Sequence, residues 1–221
     1  MKTIHPLWVA KLCRLLAAGL SLATLAACGV LSPTATPPPA FFSLDEPRAA
    51  SAPAGPAAPA TAPTLVISPP RAAAGFDSQR IIYLREPYKL EYFANSEWVD
   101  PPARMLGPLL VNALERSGAF RAVMQTPSSA SGDLRLDTQV IRLQQEFQTR
   151  PSHVRFTLRA YLVDDKTRRV LAWREFDTDV AAASDDPYGG VVAANKAVQT
   201  VLADLAAFSA EAARGAPASK P

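Results

Sequence analysis

The sequence predicts an α+β fold: an antiparallel-rich sheet with two helices packed on one face, preceded by a signal peptide and a Pro/Ala-rich linker. Three observations predict it. Hydrophobic residues alternate with period two in segments on both sides of a stretch with helical spacing. A second helical stripe closes the chain. The order strands, helix, strands, helix contains no regular βαβ alternation, which favours helices gathered on one face of a sheet. Residues 64–214, about 150 in number, suffice for one domain with its own core.

Each element follows from its local pattern. Leu65-Val66-Ile67 reads as a short strand stopped by Pro69-Pro70, and Ile81-Ile82-Tyr83-Leu84 as another. Glu86-Pro87 turns the chain, after which Tyr88, Leu90 and Tyr92 share one phase of an alternating segment. Asp100-Pro101 offers an N-cap acid followed by proline at the first helical position. Leu106, Leu109, Leu110, Ala113 and Leu114 continue at helical spacing, and Gly118 supplies the stop. Pro108 is a misfit that should kink this helix or delay its regular start. Leu134, Leu136, Thr138 and Val140 then share a face, whereas Ile141, Leu143 and Phe147 take the opposite phase, so a bulge is expected near Val140-Ile141. Val154, Phe156, Leu158, Ala160 and Leu162 alternate with polar residues. Asp164-Asp165-Lys166-Thr167 is a hairpin turn, and residues 170–180 return. Asp185-Asp186-Pro187 caps a second helix with the stripe Val191, Ala194, Val198, Val201, Leu202, Leu205 and Phe208. Residues 215–221 form a small, polar tail.

The N-terminus carries an export signal. Lys2, Lys11 and Arg14 form a basic region, followed by apolar and small residues at 15–27. Thirteen helical residues span roughly 20 Å, short of the roughly 30 Å hydrocarbon core of a bilayer. Residues 1–27 therefore read as a secretory signal more than a transmembrane helix. Leu25-Ala26-Ala27-Cys28 resembles a bacterial lipoprotein lipobox, with cleavage before Cys28 and acylation of its thiol and amine. The competing readings are a chance Cys beside an ordinary cleavage site, or an uncleaved anchor. Gly29 is the sorting position; by resemblance to enterobacterial lipoproteins, a residue other than Asp there implies export to the outer membrane. Of the 23 Lys and Arg residues, three leave with the signal and no acid does, so the mature chain stands at 20 basic against 20 acidic residues. The basic balance thus gives no case for nucleic-acid binding. Residues 28–63 are a Pro/Ala-rich tether stiffened by Thr36-Pro37-Pro38-Pro39. The island Phe41-Phe42-Ser43-Leu44 within it is either a sticky patch or a short strand at 41–44 on the sheet edge, and adjacent aromatics favour the strand.

The chain is poor in catalytic chemistry. His153 is the one histidine of the mature chain and lies on the polar phase of a strand. It has no nucleophile elbow to serve. With Cys13 removed and Cys28 acylated, no thiol remains for zinc, a disulfide or nucleophilic attack, and no cofactor or metal is expected. Asp164-Asp165 and Asp185-Asp186 stand where turns and caps want acids, and Arg168-Arg169 follows a turn.

Residues 83–98 concentrate Tyr83, Tyr88, Tyr92, Phe93 and Trp98. Core packing is one reading. A partner surface is the other, with Phe93 out of phase with Tyr92 and Trp98 in a loop before the helix cap as candidate contacts. The run Arg80-Ile81-Ile82-Tyr83, then Tyr92-Phe93-Ala94-Asn95-Ser96-Glu97-Trp98-Val99-Asp100-Pro101-Pro102, Met105-Leu106 and Leu109-Leu110, resembles the ABC-type transport auxiliary lipoprotein family. Glu97 stands where that family usually has arginine, and Phe41-Phe42-Ser43-Leu44 is similar to its early strand. The resemblance implies a non-enzymatic outer-membrane lipoprotein facing the periplasm. Its partner would be a mammalian-cell-entry domain protein of an ABC-type lipid transport system across a Gram-negative envelope. The alternative is an assembly lipoprotein, such as a lipopolysaccharide-assembly plug or a pilotin-like chaperone.

Overall fold

A computed structural model describes residues 38–45, 58–127 and 131–215. The signal, Cys28 and Gly29 lie outside the described residues. Nine strands form one sheet: β1 (Ala40–Phe42), β2 (Thr64–Ile67), β3 (Arg71–Ala72), β4 (Arg80–Leu84), β5 (Glu91–Trp98), β6 (Ala122–Gln125), β7 (Leu134–Glu146), β8 (His153–Asp164) and β9 (Val170–Ala181). Helices α1 (Pro102–Arg116) and α2 (Pro187–Gly215) complete the α+β fold.

The long ladders are antiparallel. β8 pairs with β7 along one edge and β9 along the other, and β4 pairs with β5. Alternation encodes this part well: Val154, Phe156, Leu158, Ala160 and Leu162 are all buried, with Phe156 fully so, in one core with the helix residues. The predicted bulge falls between Val140 and Arg142 of β7. The other edge of β7 takes three short strands in series. β2 pairs at Leu134–Leu136, β3 at Gln139–Val140 and β4 at Gln145–Glu146, every one parallel. β6 adds beside β2 and β1 beside β5, also parallel. The sequence reading contained neither β3 nor β6 nor these parallel pairings. A two-residue strand has no periodicity to read, and a hydrophobic pattern does not state direction.

The first helix departs from expectation at its start. α1 begins one residue late: Pro101 is the N-cap, Pro102 opens the helix, and no side chain caps it. Asp100 instead faces Arg104 across 3.5 Å. The helix also runs through Pro108 as one element. Pro108 and Arg104 are both exposed, so the carbonyl left without a donor four residues before the proline meets water. Gly118, at φ +63°, supplies the left-handed stop. α2 is capped as predicted: Asp186 Oδ1 accepts the Gly189 N–H at 2.7 Å. Asp185 has another task. It accepts the Ser152 N–H at 2.8 Å, which holds its carboxyl below the usual range. Gln145 of β7, almost wholly buried, donates to Ser152 Oγ at 2.9 Å, and a Cβ on Gly190 would overlap its carboxamide. Only glycine lets α2 lie this close to the sheet. By length and composition α2 passes for a membrane span, yet its stripe from Val191 to Leu205 belongs to the core.

Candidate functional site: the two ends of β5

β4 and β5 make a hairpin whose tip is residues 85–90. Ile82 pairs with Tyr92 and Tyr83 with Glu91. At the tip Tyr88 has φ +67° and a fully exposed side chain, and Leu90 and Tyr92 are also exposed. Polar contacts brace this apolar display. Arg85 Nε donates to Glu91 Oε2 at 2.9 Å, and its Nη2 donates to the other carboxylate oxygen. This fork holds the Glu91 carboxyl below its usual range, chiefly through the hydrogen bond itself, and raises the Arg85 guanidinium. Arg85 also lies 5.6 Å from the Tyr83 ring centre and Arg80 4.8 Å from that of Tyr92.

Behind the tip three rings meet. Phe93 lies 4.5 Å from Tyr83 and 6.3 Å from Phe147, with Tyr83 5.7 Å from Phe147. Phe93 is half-buried against the core, so it supports the tip more than it displays itself. Trp98 corrects the sequence reading. It is the last residue of β5, not a loop residue, and at 3 % exposure it is core. Its expected role as a partner contact is withdrawn. The sequence reading left Trp98 in a loop, whereas β5 runs on to it through a slipped register: Arg80 pairs with Glu97 but Ile82 with Tyr92, so β5 advances five residues while β4 advances two. That odd advance reverses the phase of β5 midway and turns Ser96 and Trp98 into the interior.

The opposite end of β5 carries β1. Ala40, Phe41 and Phe42 pair with Ser96, Glu97 and Trp98, and the Val99 N–H donates to the Phe42 carbonyl at 2.8 Å. Phe42 packs on Tyr188 of α2 with ring centres 6.5 Å apart. Phe41, Val99 and Tyr188 are each at least half exposed, at 58, 50 and 66 %. Asn195 of α2 anchors the segment after β1, accepting the Asp45 N–H at 2.8 Å and donating to the Ser43 carbonyl at 3.2 Å.

The polar residues singled out in the sequence for possible chemistry have structural partners. His153 Nδ1 sits 2.7 Å from Asp179 Oδ1, and Arg159 pairs with Glu175 at 2.7 Å, as cross-strand contacts between β8 and β9. Asp164 accepts the Thr167 N–H at 2.7 Å within its turn, which lowers its carboxyl. Asp165 faces Arg135 at 3.2 Å and Arg168 at 3.6 Å. Among the described residues no group of three or more His, Cys, Asp or Glu side chains is placed to hold a metal ion. An open cleft of about 360 Å³ lies between the C-terminal ends of α1 and α2, bordered by Pro63, Ala119, Ala213 and Arg214. Its lining includes hydroxyl groups but no histidine or carboxylate to activate them.

The sequence matches the profile of the ABC-type transport auxiliary lipoprotein component over residues 42–206, most of the chain. The chain belongs to that family. The auxiliary lipoprotein family is a transporter component and not a catalytic family, which places the protein among membrane-associated envelope proteins with partners in a transporter system. Two solved structures share the fold. A DUF330-family protein from Xanthomonas campestris is 23 % identical, covers 80 % of this chain and 95 % of its own, and superposes with a TM-score of 0.65. A second protein is 13 % identical, covers 78 % of this chain and 99 % of its own, with a TM-score of 0.61. No curated protein gives a significant sequence match.

Proposed function

We propose that this auxiliary lipoprotein is held at the outer membrane by an acylated Cys28, faces the periplasm, and serves a lipid transport system of the ABC/mammalian-cell-entry type without catalysing a reaction. The family match over residues 42–206 carries the reading. The lipobox-like Leu25-Ala26-Ala27-Cys28 supplies the anchor and Gly29 the outer-membrane address. Two or three acyl chains on Cys28 exceed the marginal hold of a single chain. The hairpin tip is the surface for the transporter's mammalian-cell-entry protein: Tyr88, Leu90 and Tyr92 make the contact, and Phe93 stiffens it from behind. Exposed aromatics within a charged rim are the composition of an interface centre and its surround.

Two measurements test this. Mass spectrometry of the mature N-terminus should find a diacylated or triacylated Cys28; an unmodified peptide starting downstream would sink the anchor. Photocrosslinkers placed at position 88 in cells should capture a mammalian-cell-entry domain protein. Capture of an outer-membrane β-barrel in its place would transfer the protein to the assembly-lipoprotein reading.

A further inference from the structure

The apolar end of β5 has no part in the hairpin contact. Three elements converge there: Phe41 from β1, Val99 from the entry to α1, and Tyr188 from the first turn of α2. All three are at least half exposed, and Phe42 and Tyr188 pack on each other beside them. Among the described residues no bidentate ion pair like that of the tip lies beside them: Glu97 is the ladder partner of Phe41, and Arg104 of α1 faces Asp100 at 3.5 Å. β1 spans three residues, too little edge for a further strand to add with a useful ladder.

The chain itself indicates what covers this surface. Only twelve residues separate Cys28 from Phe41, a reach of about 40 Å at full extension. Phe41 therefore stays within about 40 Å of the bilayer surface whenever Cys28 is embedded. Exposed phenylalanine, tyrosine and valine kept that close to a bilayer match the ring-and-aliphatic composition that partitions into the headgroup boundary. We infer that the Phe41, Val99 and Tyr188 surface is a membrane-resting edge that inserts shallowly into a lipid surface and orients the domain. The hairpin tip, roughly 20 Å away along β5, is then held off the bilayer. This inference rests on the proposed anchoring at Cys28. The three contact side chains are themselves uncharged, so the contact persists at high salt and in zwitterionic lipid.

The test separates the inference from the anchor. Cys28 is the sole cysteine of the mature chain, so the mature protein can be coupled through its thiol to a maleimide phospholipid whatever its natural processing. In a Trp173→Phe background, Phe41→Trp, Tyr188→Trp and Tyr88→Trp place reporters at the two ends, with Trp98 as a common buried background. The coupled proteins are mixed into phosphatidylcholine vesicles with brominated or plain acyl chains. Phe41→Trp and Tyr188→Trp should lose emission in brominated vesicles, at low and high salt alike, while Tyr88→Trp should not. Equal emission in both vesicle types at positions 41 and 188 overturns the membrane-resting edge. So does quenching confined to position 88, or crosslinking of position 41 to a second protein chain without quenching. Failure of natural acylation in the mass spectrum would count against the proposed anchor and leave this result standing on its own.

Discussion

The two ends of β5 both expose aromatic side chains, yet they are built differently. At the tip, Arg85 and Glu91 clamp the strands together and Arg80 covers Tyr92, so aromatic and charged groups interleave. At the base, Phe42 and Tyr188 lean on each other, and the exposed Phe41, whose ladder partner is Glu97, and Val99 carry no bidentate clamp among the described residues. A charged rim around aromatic anchors suits a specific protein partner, which can answer each charge. An unbraced apolar edge suits a fluid surface that answers none. On the proposed reading, one strand carries two kinds of adhesion at opposite poles.

Between the poles lies Trp98, and removing it has the largest expected effect. Trp98→Ala should destabilise the fold by about 3–5 kcal/mol, because a fully buried aromatic leaves a cavity between sheet and helices. Chemical denaturation reads this directly, and a shift near zero would restore Trp98 to the surface. Phe93→Ala comes next, at about 2 kcal/mol, since Phe93 is only partly buried and what it loses is chiefly the three-ring contact. Tyr88→Ala should move stability by no more than about 0.5 kcal/mol. It should nevertheless weaken partner crosslinking by about tenfold or more. If Tyr88→Ala lowers the denaturation midpoint and spares the crosslink, tip and core have been confused.

The acid response of the tip is subtler. The folded-state carboxyl of Glu91 lies below its unfolded value, so its contribution is complete above the ordinary glutamate pKa, about 4.3. That contribution declines as pH falls through the lower folded value. Protection factors at the tip, which remove the intrinsic pH dependence of amide exchange, should therefore be unchanged from neutral pH to about pH 5 and fall below about pH 4. Glu91→Gln should exchange faster at neutral pH and lose this acid step; retention of the step would assign it to another carboxylate. The smallest expected effect is that of His153→Gln. Its loss of one exposed contact to Asp179 should change stability by about 0.5 kcal/mol or less and leave the transport phenotype intact.

How much of this was legible in the sequence depends on strand length. β7, β8 and β9 run for twelve or thirteen residues, so their alternation survives noise, and the phase change at Val140 announces the bulge. The α2 cap at Asp186 and the α1 stop at Gly118 were readable from residue type alone. β3 and β6 were not, because two and four residues hold less than one useful period. At the candidate site the aromatic segment stood out, but the assignment within it failed at Trp98. A register slip inside β5 has no residue signature comparable to a glycine or a proline. One usable signal was passed over: Arg85 and Glu91 flank the Glu86-Pro87 turn with opposite charges, the arrangement of a cross-strand clamp around an exposed loop.

The serial arrangement on β7 has a consequence for export. β2, β3 and β4 lie between residues 64 and 84, but the strand they all join begins at Leu134. On the proposed route across the inner membrane, those apolar strands precede their common partner by some fifty to seventy residues. Until it arrives the β4–β5 hairpin, α1 and the short β1–β5 and β2–β6 pairings can form, but Leu65, Val66 and Ile67 lack β7 on their other side. The domain then completes late, when Leu134–Glu146 emerges, and on that route the emerging chain would suit a holding chaperone until it does.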